Sequence, residues 1–174
     1  MALAVCLLFD EPGDSALRRL WARIDQEGIA TLATHTHGRH VPHLTYASLR
    51  SYDIDAVRDR LADLPEAAPF VLQLDAFGSF RRSRCWLAPA VTPDLVTRQA
   101  AVVQAVLAAG ADLHHHYAPG RWLPHVTLAP RLHLTDLATV AGAVYDVLPI
   151  AAPVTRAALI DTSNGARSLL PHLV

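Results

Sequence analysis

Apolar residues along this chain recur with two periods, one helical and one extended. Leu17, Leu20, Trp21 and Ile24 fall on one face of a predicted helix that starts after Asp14 as N-cap and ends at Gly28. A second helix starts near Asp53 and aligns Ile54, Val57, Leu61 and Leu64 before Pro65 stops it. A third takes Thr92 as N-cap and Pro93 as first residue, turns Val96, Val103, Val106 and Leu107 inward, and closes at Gly110. The fourth opens at Thr135, buries Leu137, Val140, Val144 and Leu148, and stops at Pro149. Between them, alternating or continuous apolar runs predict strands at Ala2–Phe9, Ile29–His35, His40–Leu49, Phe70–Phe77, Arg84–Ala88, Trp122–Leu128, Val154–Ile160 and Arg167–Leu173. Asn164-Gly165 between the last two is a hairpin signal.

No linker, low-complexity tract or composition break divides residues 1–174, which read as a single domain. Strands mixed irregularly with helices predict an α+β fold with largely antiparallel sheets. One internal repeat stands out. His40-Val41-Pro42-His43-Leu44-Thr45-Tyr46 resembles Trp122-Leu123-Pro124-His125-Val126-Thr127-Leu128, about half a chain away. The repeat predicts two related lobes facing each other.

The bulk properties narrow the field. A hydrophobic content of 52% argues against disorder. The opening run to Phe9 has no basic segment before it and meets Asp10 and Glu11 at once, so it reads as a buried strand rather than a signal peptide. No stretch approaches the roughly 18 apolar residues of a membrane span. Cys6 and Cys85 sit in strand-like runs and read as core thiols of a reducing compartment, hence a cytoplasmic protein. A net charge of −1 excludes a grip on a long nucleic-acid tract and suits a small phosphorylated ligand or an RNA end. Nothing points to an obligate protein partner.

The repeated motif carries the chemistry. On a strand, His43 and Thr45 share one face while Leu44 and Tyr46 share the other; His125 and Thr127 stand likewise against Val126 and Leu128. Two such strands brought face to face set two imidazoles and two hydroxyls around one pocket. A neutral imidazole can take a proton from a nucleophile while a protonated one gives a proton to a leaving oxygen. The hydroxyls would donate to non-bridging phosphate oxygens. That is phosphodiester cleavage needing no metal or other cofactor. A third match, His133-Leu134-Thr135, lacks a strand context; there Thr135 reads as a helix N-cap.

The two strands resemble the paired His-x-Thr motifs of the two-histidine (2H) phosphoesterases, specifically the 2′-5′ RNA ligase / RNA 2′,3′-cyclic phosphodiesterase family. The likeness extends over nearly the whole chain, through Phe77-Gly78-Ser79-Phe80, Cys85-Trp86-Leu87-Ala88-Pro89 and Tyr117-Ala118-Pro119-Gly120-Arg121-Trp122 into the second motif. It implies a bilobal, pseudo-twofold fold with two mostly antiparallel sheets lining a central cleft and helices outside. It also implies that His43, Thr45, His125 and Thr127 form a catalytic tetrad, with His43 as acid and His125 as base. The implied substrates are 2′,3′-cyclic phosphates or 2′-5′ linkages of nucleotides or RNA ends. Departures at Tyr46-Ala47-Ser48-Leu49-Arg50 and Pro130 bear on the substrate and leave the chemistry alone.

Around the tetrad, Arg131, Phe80, Tyr117 and Trp122 are the candidate substrate contacts. Arg81, Arg82 and Arg84 read as a solvated loop, and Trp86 and Tyr46 as core aromatics. His35, His37, His40 and His114-His115-His116 invite a zinc reading, but cysteine and carboxylate ligands do not accompany them, so exposed histidines are the favoured reading. Other readings remain: the same chemistry on ADP-ribose 1″,2″-cyclic phosphate or a signalling oligonucleotide, a nucleotide-binding module without turnover, or a zinc-dependent hydrolase.

Overall fold

The computed structural model describes residues 2–81 and 84–174. Strand β1 (Leu3–Phe9) is buried along its whole length, as its unbroken apolar run predicts. It lies between β2 (His43–Ser51) and β7 (Ile150–Asp161), antiparallel to both. Leu3, Val5, Leu7 and Phe9 face the main core, while Ala4, Cys6 and Leu8 pack with Val41, Ala158 and Ile160 on the other face.

Strands β3 (Phe70–Phe80), β4 (Arg84–Pro89) and β6 (Val126–Ala129) form the second group. The groups join twice: β3 pairs with the first half of β7, and β2 pairs with β6 through Leu44↔Val126. The order β1-β2-β6-β4-β3-β7 thus returns to β1, with β8 (Arg167–Leu169) beside β7 and the short β5 (Asp112–Leu113) beside β2. Every strand pairing among the described residues is antiparallel.

Among the described residues, four α-helices accompany the sheet: α1 (Glu11–Gln26), α2 (Ile54–Ala62), α3 (Pro93–Ala108) and α4 (Leu137–Tyr145). Thr92 caps α3 as the sequence predicts, and α2 starts where expected, with Asp53 as its cap. Helix α1, however, starts a turn early, because Asp10 accepts from the Gly13 N–H at 2.8 Å and Pro12 fits the first turn. Gly13 also brings the helix close to the sheet: an added Cβ would meet the Ala152 Cα at 3.4 Å. Asp14, the expected cap, instead pairs with Arg18. Before α4, Leu134–Asp136 forms a 3₁₀ turn; Thr135 lies inside it and bonds Asp136 rather than capping. Ile54, Val96 and Leu107, expected inward, are exposed.

The predicted strand Ile29–His35 does not form. Asp25 takes the Thr31 N–H at 2.9 Å and its hydroxyl at 3.0 Å, and Leu32 donates to the Leu128 carbonyl at 3.0 Å. These bonds tie the segment down as turns, with no ladder left to build. Both motif strands start later than predicted, since the prolines before each histidine supply no N–H to a ladder. The hairpin at Asn164-Gly165 is present, with Gly165 at φ +75° donating to the Asp161 carbonyl at 2.8 Å.

Candidate active site

The Leu44↔Val126 pair decides the geometry. In an antiparallel ladder it makes His43 the cross-strand neighbour of Thr127, and Thr45 that of His125. Leu44 and Val126 are fully buried on the core side. The four motif side chains therefore stand on the opposite face, each half-buried, in an alternating square of imidazole and hydroxyl.

Both imidazoles are fixed in the same way. His43 Nδ1 lies 2.6 Å from the Val41 carbonyl, and His125 Nδ1 lies 2.7 Å from the Leu123 carbonyl. A carbonyl only accepts, so Nδ1 donates in each ring, and Nε2 carries the lone pair when the ring is neutral. Burial pushes both histidines below the usual imidazole range, partly offset by these carbonyl bonds. For His125 the charges of His43 and Arg84 lower it further.

The two threonine carbonyls are braced reciprocally. Trp122 donates its indole N–H to the Thr45 carbonyl at 3.0 Å, and Trp21 of α1 donates to the Thr127 carbonyl at 3.3 Å. Beneath the site, Cys6 Sγ lies 3.6 Å from the Thr45 hydroxyl. Both cysteines are buried and free, and burial pushes their thiols up, Cys6 to about 12 and Cys85 to about 11.

The candidate substrate contacts divide. Phe80 stands edge-on to His125, ring centroids 5.0 Å apart. The Tyr117 hydroxyl is buried, which pushes it up to about 12, while Thr45 and the charge of Arg84 pull it back in part. Trp122 does not join them: its indole N–H is engaged, and its ring packs on Tyr46 at 5.8 Å, on the core face of β2. Arg131 is exposed just past β6, and its charge bears on His35. Arg84, read as part of a solvated loop, begins β4 two residues before Trp86 on the same strand face; its charge bears on His125, Tyr117, His35 and His114. Arg81 is exposed, and Arg82 lies outside the described residues. Trp86 is buried, as expected of a core aromatic, and its ring also lies 6.1 Å from His125. Alternation along β4 was the available signal for both Arg84 and Trp86.

The histidine-rich segments do not gather ligands. The His37 and His40 rings lie tilted with centroids 4.2 Å apart, His114 stacks on His115, and the His116 ring tilts against both. Among the described residues, no three histidine, cysteine or carboxylate side chains are arranged to hold a metal ion. Among them, too, no helix is long and apolar enough to cross a membrane.

Solved structures share this architecture. LigT of E. coli complexed with 3′-AMP superposes with a TM-score of 0.64 at 17% identity, over 97% of this chain and 93% of that one. TT0787 of Thermus thermophilus gives 0.59 at 20% identity, over 98% and 95%. Usb1 of Kluyveromyces marxianus gives 0.53 at 12%, over 98% and 97%. No curated protein matches the chain. The fold is the bilobal, pseudo-twofold fold of the 2H phosphoesterases. The sequence profile of the 2′-5′ RNA ligase superfamily matches residues 12–166, and the chain belongs to that superfamily, whose members are phosphodiesterases and ligases.

Proposed function

We propose that this protein is a phosphodiesterase that opens 2′,3′-cyclic phosphates or cleaves 2′-5′ linkages of nucleotides or RNA ends, with His43, Thr45, His125 and Thr127 as its catalytic groups. The observation that carries the reading is the Leu44↔Val126 pair, which makes each histidine a cross-strand neighbour of the other motif's threonine. Only proton transfer calls for two imidazoles held with the same nitrogen free; a binding pocket alone does not.

In the proposed reaction, His125 Nε2 takes a proton from water as the water oxygen bonds to phosphorus. The bond from phosphorus to the leaving ribose oxygen breaks, and His43, protonated at Nε2, gives that oxygen its proton. Each histidine ends in the other's starting state, and a proton exchange with solvent resets the pair. The Thr45 and Thr127 hydroxyls donate to the non-bridging oxygens, where negative charge builds. Arg84 adds a positive field at the mouth of the site. No step in this scheme calls for a metal ion. The reported complex of LigT with 3′-AMP, a nucleoside monophosphate, agrees with a ligand of this size.

The test is to incubate the protein with the four nucleoside 2′,3′-cyclic monophosphates, with and without EDTA, beside His43→Ala and His125→Ala. Turnover that resists EDTA and is lost in both variants is expected. Loss of turnover in EDTA, or full activity in either variant, overturns the mechanism.

A further inference from the structure

The chain has three tryptophans, and all three lie against the motif strands. Two of them have their indole N–H groups engaged on the carbonyls of Thr45 and Thr127. Trp86 is different. It is the ladder partner of Thr127, its ring lies 6.1 Å from His125, and only 9% of it is exposed. Its Nε1 is buried with no acceptor among the described residues. Buried indole N–H groups ordinarily find a partner, because leaving one dry forfeits the hydrogen bond it made to water.

The seat of this ring is built to hold it there. Gly78 is its ladder partner on β3, and a Cβ on Gly78 would overlap the six-membered ring of Trp86. Phe80 packs against it from beyond, centroids 5.2 Å apart, and stands edge-on to His125. On β4, Cys85 and Leu87 enter the main core, so Trp86 faces the side that carries the Thr127 hydroxyl. An unpartnered donor is thus fixed beside the general base proposed above, between a glycine that makes room and a phenylalanine at a strand end.

We infer that Trp86 is a substrate-binding residue whose indole N–H donates to a non-bridging oxygen of the phosphate held between His43 and His125, once Phe80 turns aside. The inference rests on the two-histidine reading and deepens it. The ligand is a ribose-linked phosphodiester monoanion, and Trp86 and Thr127 address it from adjacent strands. No bond forms or breaks at the indole; it is a donor only, and the charge it meets grows as the phosphorus becomes five-coordinate.

Sulfur in place of one non-bridging oxygen tests this, because sulfur accepts an N–H hydrogen bond poorly. The two diastereomers of a nucleoside 2′,3′-cyclic phosphorothioate place sulfur at one position or the other. With wild-type protein, one diastereomer turns over more slowly than the other relative to the parent phosphate. Trp86→Phe keeps a ring in the seat and removes the donor; it lowers kcat/KM for the parent about 10-fold or more and shrinks the thio effect at that one position only. Benzothienylalanine at position 86, which has the shape of tryptophan without the N–H, gives the same result if the phenylalanine variant folds poorly. Phe80→Ala keeps the discrimination. Unchanged thio effects in both position-86 variants overturn the donor role and leave the two-histidine reading standing. A wild-type protein that turns over no cyclic phosphate overturns both.

Discussion

Trp122 lies just before His125 in the chain, yet its indole N–H holds the carbonyl of Thr45 on the other motif strand, 3.0 Å away. Trp21 holds the Thr127 carbonyl in return. Each motif is therefore steadied by a residue from the opposite half of the chain. The Trp122 bond adds a second link between the two motif segments beside the Leu44↔Val126 pair, and the Trp21 bond ties the second motif strand to α1.

Trp122→Phe removes this brace and keeps most of the ring packing on Tyr46. We expect a stability loss of about 1 kcal/mol, the ordinary worth of one hydrogen bond. We also expect kcat to fall while KM stays near the wild-type value, because alignment of Thr45 matters most in the transition state. Urea unfolding and steady-state kinetics measure the two effects. A change in KM alone would mean that Trp122 meets substrate directly.

Both motif histidines lie below the ordinary imidazole value of 6.5, chiefly through burial. Catalysis needs one ring charged and one neutral, so the rate is greatest between their two values. The profile of kcat/KM, which reports the free protein, should therefore peak below about pH 6.5. A bound phosphate monoanion favours the imidazolium, so the kcat profile should sit at higher pH than that of kcat/KM. A kcat/KM maximum on the alkaline side of neutrality would contradict the burial of these rings.

Burial, then the charges of His37, His43 and His35, push His40 down to about 4. The unfolded chain binds this proton more readily than the folded one. Stability is thus insensitive to His40 above about pH 6.5 and falls as the pH drops from there towards about 4. His35, His43, His114 and His125 are lowered as well and act in the same direction. Thermal unfolding between about pH 7.5 and about pH 4.5 should show Tm dropping in acid, less steeply in His40→Gln. An equal slope in that variant would remove His40 from the account.

Gly78→Ala places a methyl group where the Trp86 ring lies. Overpacking of this kind costs about 1–3 kcal/mol. Combining it with Trp86→Phe, whose smaller ring vacates the clash, should recover part of that loss as a coupling energy in a double-mutant cycle. Strict additivity in urea unfolding would show that the two positions do not meet.

Local physics made much of this protein legible from residue order alone. The unbroken apolar run of β1, the capped amphipathic helices α2 and α3, and the Asn164-Gly165 turn depend on neighbours a few residues apart. So does the alternation that sets His43 and Thr45 on one strand face and His125 and Thr127 on another. The misreadings also have local causes. Pro12-Gly13 resembles a turn but opens α1, and Ile29–His35 resembles a strand but is tied down by Asp25 and Leu128.

Residue order was enough for the four helices, for the buried strand β1 and for the existence of two matching histidine motifs, but not for the Ile29–His35 segment or for the exposed Ile54, Val96 and Leu107. Packing of distant segments decided that Leu44 meets Val126, that Trp122 holds the Thr45 carbonyl and Trp21 of α1 the Thr127 carbonyl, and that the Trp86 ring lies beside His125. The physical reason is the range of the interactions. Periodicity and capping act over a few residues, whereas register between strands half a chain apart follows from packing the whole core, and no short window of sequence contains that information.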